Sequence, residues 1–236
     1  MRIVKSGGRS LEVMEFFADC REAGVMEVAR ALGYPQSSAS ELLQSLAALG
    51  YLRYDARRRT FSAGARAAML GATLSSRVFG GGDVGALVDA VAAGTRREAY
   101  LCDVVADSVH FYVTSTVRAG LPAPVSLPHS AAGLLFLAGL PDAQATRLGA
   151  RDADGVKAEM LSSQLAQVRS DGFALRTFAG GAELGVSLHR QPGPAVCVCG
   201  PRFAEGEEAS AMARRLRAIV RRWRDPDVRR QPACNA

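Results

Sequence analysis

The chain has 236 residues, of which 48% are hydrophobic and 22% charged, enough apolar material for two modest cores and too much for a disordered polypeptide. No run of about 18 uncharged apolar residues occurs and no apolar stretch follows the basic N-terminal residues, which argues against a membrane span and a secretory leader and makes the cytoplasm the expected location. The net charge of +6 leans toward a polyanionic partner; the five cysteines are scattered without a CxxC pair and the three histidines without ligand spacing, so the thiols are read as reduced and no metal or cofactor is expected.

The first eighty residues carry three short helical patterns. Ser10 to Phe17 places Leu11, Val13, Met14 and Phe17 at amphipathic spacing. Gly24 interrupts, and Val25, Val28, Ala29 and Leu32 mark a second helix that Gly33 ends. A third opens at Pro35, sets Ala39, Leu42, Leu43, Leu46 and Leu49 on one face, and stops at Gly50; the Ser38-x-x-Glu41 spacing suits a capping box near its start. Short helices joined by tight turns match a helix-turn-helix. The opposite face of the third helix holds Ser37, Ser40, Glu41 and Gln44, small polar groups that fit a major groove, with Gln44 suited to adenine. Tyr51 to Tyr54 and Thr60 to Ser62 then read as a hairpin whose turn carries Arg57, Arg58 and Arg59, a basic wing for phosphates or the minor groove.

The stretches Arg9-Ser10-Leu11-Glu12-Val13-Met14, Glu27 to Ser38, Leu42-Leu43-Gln44-Ser45-Leu46 and Leu49-Gly50-Tyr51-Leu52 resemble the IclR family of bacterial transcriptional regulators. The resemblance implies a recognition helix starting near Pro35, which adds Gln36 and Ser38 to the DNA-facing residues. It also implies a linker helix at about Ala65 to Val78, ahead of a regulatory domain. Two positions depart from the family: Glu41 stands where a basic residue is usual, and Gln36 where a Lys often precedes the paired hydroxyls. Glu41 either reads a cytosine or turns to a neighbouring arginine.

Gly80-Gly81-Gly82 is the clearest break in composition. The expected organisation is a DNA-binding domain over 1–64, a linker helix and glycine hinge over 65–82, and an effector-binding and oligomerisation domain over 83–236. Asp83 caps a helix to about Ala93, with Val84, Leu87, Val88 and Val91 apolar. Ala99 to Val105 and Val109 to Thr116 form a hairpin, and prolines make Pro122 to Leu127 an edge segment. An apolar helix follows Pro128-His129-Ser130, another spans Glu159 to Arg169, and a last one runs from Glu207 to Trp223 with Met212, Leu216, Ile219, Val220 and Trp223 inward. Phe173 to Thr177, Leu184 to His189 and Ala195 to Gly200 are the remaining strands, and Gly180-Gly181 reads as a flexible loop. This is an α+β pattern rather than a parallel nucleotide fold.

The resemblance extends to this half through Leu127 to Gly133, Gly172-Phe173-Ala174, Glu183 to Val186 and Val198 to Pro201, and implies a GAF-like effector-binding domain with a curved antiparallel sheet. Carried over, an effector pocket is lined by His129, Ser130, Ala131 and Ala132 at a helix start and by Val186, Ser187 and Leu188 on one strand, with Cys197 and Cys199 on one face of the next. Leu188-His189-Arg190 departs from the family's small apolar run. Free N–H groups at the helix start suit a carboxylate, so a small organic acid, aromatic acids among them, is the expected effector. His129 serves the effector or merely the helix start, and the paired cysteines sense oxidation or simply fill a core.

No GxSxG elbow or HExxH pair occurs, and Asp103, Asp107 and Glu183 are isolated acids, so the chain is not read as an enzyme. It is read as a regulator, a repressor by default, that binds double-stranded operator DNA as a homodimer or homotetramer and has no membrane partner. The competing reading is a DNA-binding protein whose C-terminal domain only oligomerises; an internal cavity separates the two.

Overall fold

The computed structural model describes residues 4–79, 83–116, 121–150, 158–189, 192–203 and 207–225. The chain forms two compact units, 1–78 and 79–236. The glycines at 80–82, Arg190, Cys234 and the arginines at 229 and 230 lie outside the described residues.

The first unit runs α1 (Lys5–Asp19), α2 (Val25–Leu32), α3 (Gln36–Ala48), β1 (Leu52–Asp55), β2 (Thr60–Ala63) and α4 (Ala65–Phe79). Its core is Val13 and Phe17 of α1, Val28 of α2, Leu43 and Leu46 of α3, and Leu52 and Phe61 of the hairpin. Ala23 and Phe61 exchange backbone hydrogen bonds of 3.0 and 2.8 Å, which ties the start of α2 to the returning strand. β1 and β2 pair antiparallel from Leu52↔Ala63 to Asp55↔Thr60.

Three details of the sequence reading change here. The first helix begins five residues early, at Lys5, and Leu11 is 65% exposed because it stands two residues, about 200°, round from Val13. Leu49 also leaves the core, since α3 ends at Ala48 and its buried stripe is Ala39, Leu43 and Leu46. Ser38 is the third residue inside α3, which starts behind Pro35 without a side-chain cap, so the Ser38/Glu41 capping box does not form. Its Glu half occurs one helix earlier, where the Gly24 N–H donates to the Glu27 carboxylate at 2.6 Å.

The second unit is built on a six-stranded antiparallel sheet of order β5-β4-β3-β8-β7-β6. The strands are β3 (Glu98–Val105), β4 (Ser108–Thr114), β5 (Val125–Ser126), β6 (Ala174–Phe178), β7 (Gly181–Ser187) and β8 (Ala195–Gly200). One face packs on α5 (Val84–Thr95) and α9 (Glu207–Arg224) through Leu87, Val88, Leu184, Val186, Val198 and Leu216. The other packs on α6 (Ala131–Ala138) and α8 (Ala158–Asp171) through Cys102, Leu134, Leu135, Leu165, Ala174 and Cys197, with α7 (Asp142–Gly149) beside them. The chain is therefore α+β, with helical layers on both faces of an antiparallel sheet.

Asp83 caps α5 as expected, accepting from the Gly85 N–H at 2.8 Å. The proline-rich edge segment shrinks to Val125–Ser126, paired on β4. α7 has no counterpart in the sequence reading; it buries only Ala145 and Gly149, too little to leave a periodic signal. β7 starts at Gly181 rather than Leu184, and Gly181 is a buried strand residue, not a loop: a Cβ there would lie 2.3 Å from the Gly200 carbonyl oxygen.

Gly133 marks a second close approach. It lies in the first turn of α6, whose start is preceded by a 3-10 turn at Leu127–His129, and a Cβ on it would lie 2.1 Å from the Leu127 carbonyl oxygen. Both sides of that contact are backbone, so neither can yield by a rotamer change. Gly133→Ala should lower the stability of the full chain by at least about 2 kcal/mol in denaturant unfolding, despite alanine's better helix propensity.

Candidate DNA interface and effector cavity

On α3, Gln36, Ser37, Glu41 and Gln44 are exposed and Ser38 and Ser40 half-buried. Gln44 Nε2 donates to Ser40 Oγ at 3.3 Å, which orients the amide along the helix. A groove of about 800 Å³ brings Gln36, Ser40 and Gln44 together with Arg58 and Arg59 of the hairpin turn. Ser37, Ser38, Glu41 and Arg57 do not line it. Among the described residues Glu41 takes no arginine, so the suggestion that it turns aside to one is not realised.

The wing turn is organised by an acid. The Asp55 carboxylate accepts from the backbone N–H groups of Arg57 and Arg58 at 2.8 and 3.2 Å, and those bonds hold its pKa below the usual carboxylate range. Arg59 closes the turn at φ +58°. Arg58 is not a free cation, contrary to the simple picture of a basic wing tip. Its guanidinium pairs with Glu22, in the connection between α1 and α2, at 2.9 and 3.2 Å. Both side chains are substantially exposed, so the pair is a weak, exchangeable one.

In the second unit a cavity of about 510 Å³ opens on the α6 face of the sheet. Its apolar wall is Tyr100, Phe111, Val125 and Phe178; its polar groups include Glu98, His129, Arg176, Glu183 and Cys199. Three of the nine effector residues expected from the sequence line it: His129, Ser130 and Cys199. Ala131, Ala132 and Cys197 are buried in the core beside it, on the expected face. Val186 and Leu188 are on the wrong face, packed under α5 and α9. Ser187 shares the α6 face through its pairing with Ala195, but it does not reach this cavity.

The placement of Val186 and Leu188 follows the family resemblance, and the strand itself gives no signal to correct it. β7 is covered on both sides, six of its seven residues are buried, and a strand covered on both sides shows no alternation from which to read parity. Its register against β8, Glu183↔Cys199 and Gly185↔Cys197, puts Glu183 on the cavity face. Glu183 is 6% exposed. Its carboxylate accepts from Ser130 Oγ at 3.1 Å and from the Ala131 N–H at 2.9 Å, while Ser130 Oγ accepts from the Ala132 N–H at 3.2 Å. The start of α6, expected to be free for an effector carboxylate, is thus already held by a carboxylate of the chain itself.

Across the sheet Arg176 pairs in register with Glu183, yet its side chain turns to the same chain segment from the other side. Arg176 Nη2 lies 3.1 Å from His129 Nδ1. A guanidinium only donates, so Nδ1 accepts here and the ring proton sits on Nε2. Burial, followed by the neighbouring Cys197 and Glu183, pushes the Tyr100 hydroxyl far above its ordinary range, so it remains a neutral donor.

Cys197 and Cys199 are likewise held in their protonated form. Cys197 lies 3.8 Å from Cys102, Sγ to Sγ; their hydrogen bond and complete burial push the Cys197 pKa well up. Burial also raises that of Cys199. Raised thiol pKa values are the reverse of what a redox sensor needs.

Residues 8–56 match the sequence model of the IclR helix-turn-helix domain. That match identifies the first unit as an IclR-type helix-turn-helix and covers about a fifth of the chain. No curated protein sequence matches it. The similarity of the whole chain is to solved structures. An IclR transcriptional regulator from Alicyclobacillus acidocaldarius superposes with TM-score 0.63 at 18% identity, over 96% of this chain and 98% of that one. HmgR of Pseudomonas aeruginosa gives TM-score 0.63 at 19% identity over 93% and 99%. An IclR homologue from Microbacterium hydrocarbonoxydans, complexed with 4-hydroxybenzoate, gives 0.61 at 17% over 96% and 100%. The IclR fold thus extends over both units. No helix of the described residues is long and apolar enough to cross a membrane.

Thiol accessibility provides a direct check on the cavity geometry. In the native protein at neutral pH, iodoacetamide should leave Cys102 and Cys197 unmodified for hours and modify both once denaturant is added, as read by mass spectrometry of the digested chain.

Proposed function

We propose that this protein is an IclR-type repressor whose hold on a double-stranded operator is set by a small organic acid bound in the C-terminal unit. The observation that carries this reading is the 510 Å³ cavity, an open cleft with an apolar wall, a few convergent polar groups and a volume in the range of small-molecule sites. A C-terminal unit that only assembled protomers would have no use for it. The 4-hydroxybenzoate in the Microbacterium homologue supports an aromatic acid as the first class to try.

Operator binding is assigned to α3 for base choice, through Gln36, Ser37, Ser38, Ser40, Glu41 and Gln44, and to the wing arginines for phosphate affinity. The α3 face is neutral to acidic, so the wing supplies most of the counterion release. Two-fold pairing of the chain is supported by α4. That helix buries none of its residues, and Leu70, Leu74 and Val78, spaced four apart, form an exposed apolar stripe with Met69 alongside. A homodimer covering this stripe would present two recognition helices to successive major grooves. Effector control then needs only a differential affinity for two arrangements of the heads, on the order of 1–3 kcal/mol.

Two measurements test this reading. Double-stranded fragments selected by the purified full chain are titrated with a panel of organic acids; at least one acid should change affinity by about 5–150-fold, and Thr114→Trp, which puts an indole into the cavity, should reduce that response. If no acid in the panel changes affinity, the purely oligomerising role of the C-terminal unit wins. Separately, Glu22→Gln should release Arg58, raise affinity for DNA of any sequence and steepen the salt dependence by about one unit. Arg58→Ala should then weaken binding more in the Glu22→Gln background than in the wild type, measured by fluorescence anisotropy across a salt series.

A further inference from the structure

The cavity floor contains a polarised row. Arg176, Glu183, Cys199 and Glu98 are consecutive register partners on β6, β7, β8 and β3, so they cross one sheet face in a line. At about 4.8 Å per strand the row spans roughly 14 Å, with the cation at one end and carboxylates in the middle and at the far end. The two charged members nearest α6 differ in how well they are satisfied. Glu183 already accepts from Ser130 Oγ and the Ala131 N–H and has no need of a ligand. Arg176 is half-buried, carries five donors, and among the described residues has one hydrogen-bond partner, the neutral His129 ring, and no carboxylate.

We infer that the effector is an aromatic monocarboxylate, held by Arg176 rather than by the start of α6, and that Glu183 is a built-in occupant which closes that helix end to anions. This rests on the reading of the cavity as the effector site. A carboxylate beside Arg176 gains a charge-assisted, fork-shaped contact at the edge of an apolar wall. The Nε2–H of His129 offers a second donor. The ligand's ring lies against Tyr100, Phe111 and Phe178. A second carboxylate at the other end of the ligand meets Glu183 and Glu98 and is rejected, because like charges in a partly desolvated site raise the cost of both.

Titration calorimetry on the full chain with three commercial probes tests this. Benzoate should bind at least about tenfold tighter than benzamide, which lacks the charge, and than terephthalate, which adds a second one. Arg176→Gln should reduce benzoate affinity to the level of benzamide, and Arg176→Lys should restore part of it. Equal affinity for benzoate and benzamide in the wild type would overturn the anchor, and so would a folded Arg176→Gln variant that keeps full benzoate affinity. Either result leaves the cavity as a ligand site and removes only the role of Arg176. Terephthalate binding as well as benzoate would overturn the assigned role of the carboxylate row. Binding of none of the three overturns the inference outright, whereas the effector reading itself stands or falls on the Thr114→Trp response. Should Arg176→Gln not fold, the wild-type ratio of benzoate to benzamide still decides.

Discussion

A buried carboxylate clamped on a helix start organises the second unit. Glu183 leaves water almost entirely, and a carboxylate can do so only if its oxygens find donors. They find them in the Ser130 hydroxyl and the Ala131 N–H, groups that α6 would otherwise leave unpaired at its first turn. The helix dipole adds to the fit. This one contact fixes α6 against β7, and with it the depth at which the turn before α6 sits over the sheet. From the neighbouring strand Arg176 reaches the preceding residue of that turn, His129. A cross-strand acid–base pair that does not close on itself thus grips three consecutive residues of one turn, leaving a cavity between strands and turn.

The N-terminal unit shows a different use of charge. Its acids are at the surface and shape loops. Glu27 holds the first turn of α2, Asp55 folds the wing turn through two backbone bonds, and Glu22 takes the guanidinium of Arg58. Each lies close to a place where a polyanion would dock. One of the three wing arginines, Arg58, is therefore engaged by an exchangeable partner, and its contact with a polyanion requires an exchange of Glu22 rather than mere approach.

How much was legible in the sequence depended on whether one face of an element met water. α3 and α5 have wet and dry sides, and their buried stripes and N-terminal limits could be read nearly as they stand. The wing could be read because its turn chemistry is concentrated in Asp55 and three arginines. β7 could not. With both faces covered, its residues Ala182 to Val186 are uniformly buried, and the acid among them looked like an isolated charge rather than the centre of the site. Val186 and Leu188 come to the cavity through the family resemblance, and uniform burial offers no alternation that would correct it. The single available signal was the charge itself: a glutamate inside an apolar run must be paired, and the nearest free donors on such a fold are helix starts.

The bare surface of α4 bears on folding as well as assembly. A helix of 15 residues in water is marginal on its own, because nucleation is costly and each added residue gains little. α4 is held near its ends, by Arg66 on the Leu49 carbonyl and by Phe79 against a core, but its interior includes Gly71 and the Ser75-Ser76 pair, none of them favourable helix formers. Its helical state is therefore tied to whatever covers Leu70, Leu74 and Val78. In the homodimer proposed above, the helicity of this segment becomes a property of protein concentration, rising as the stripe is covered.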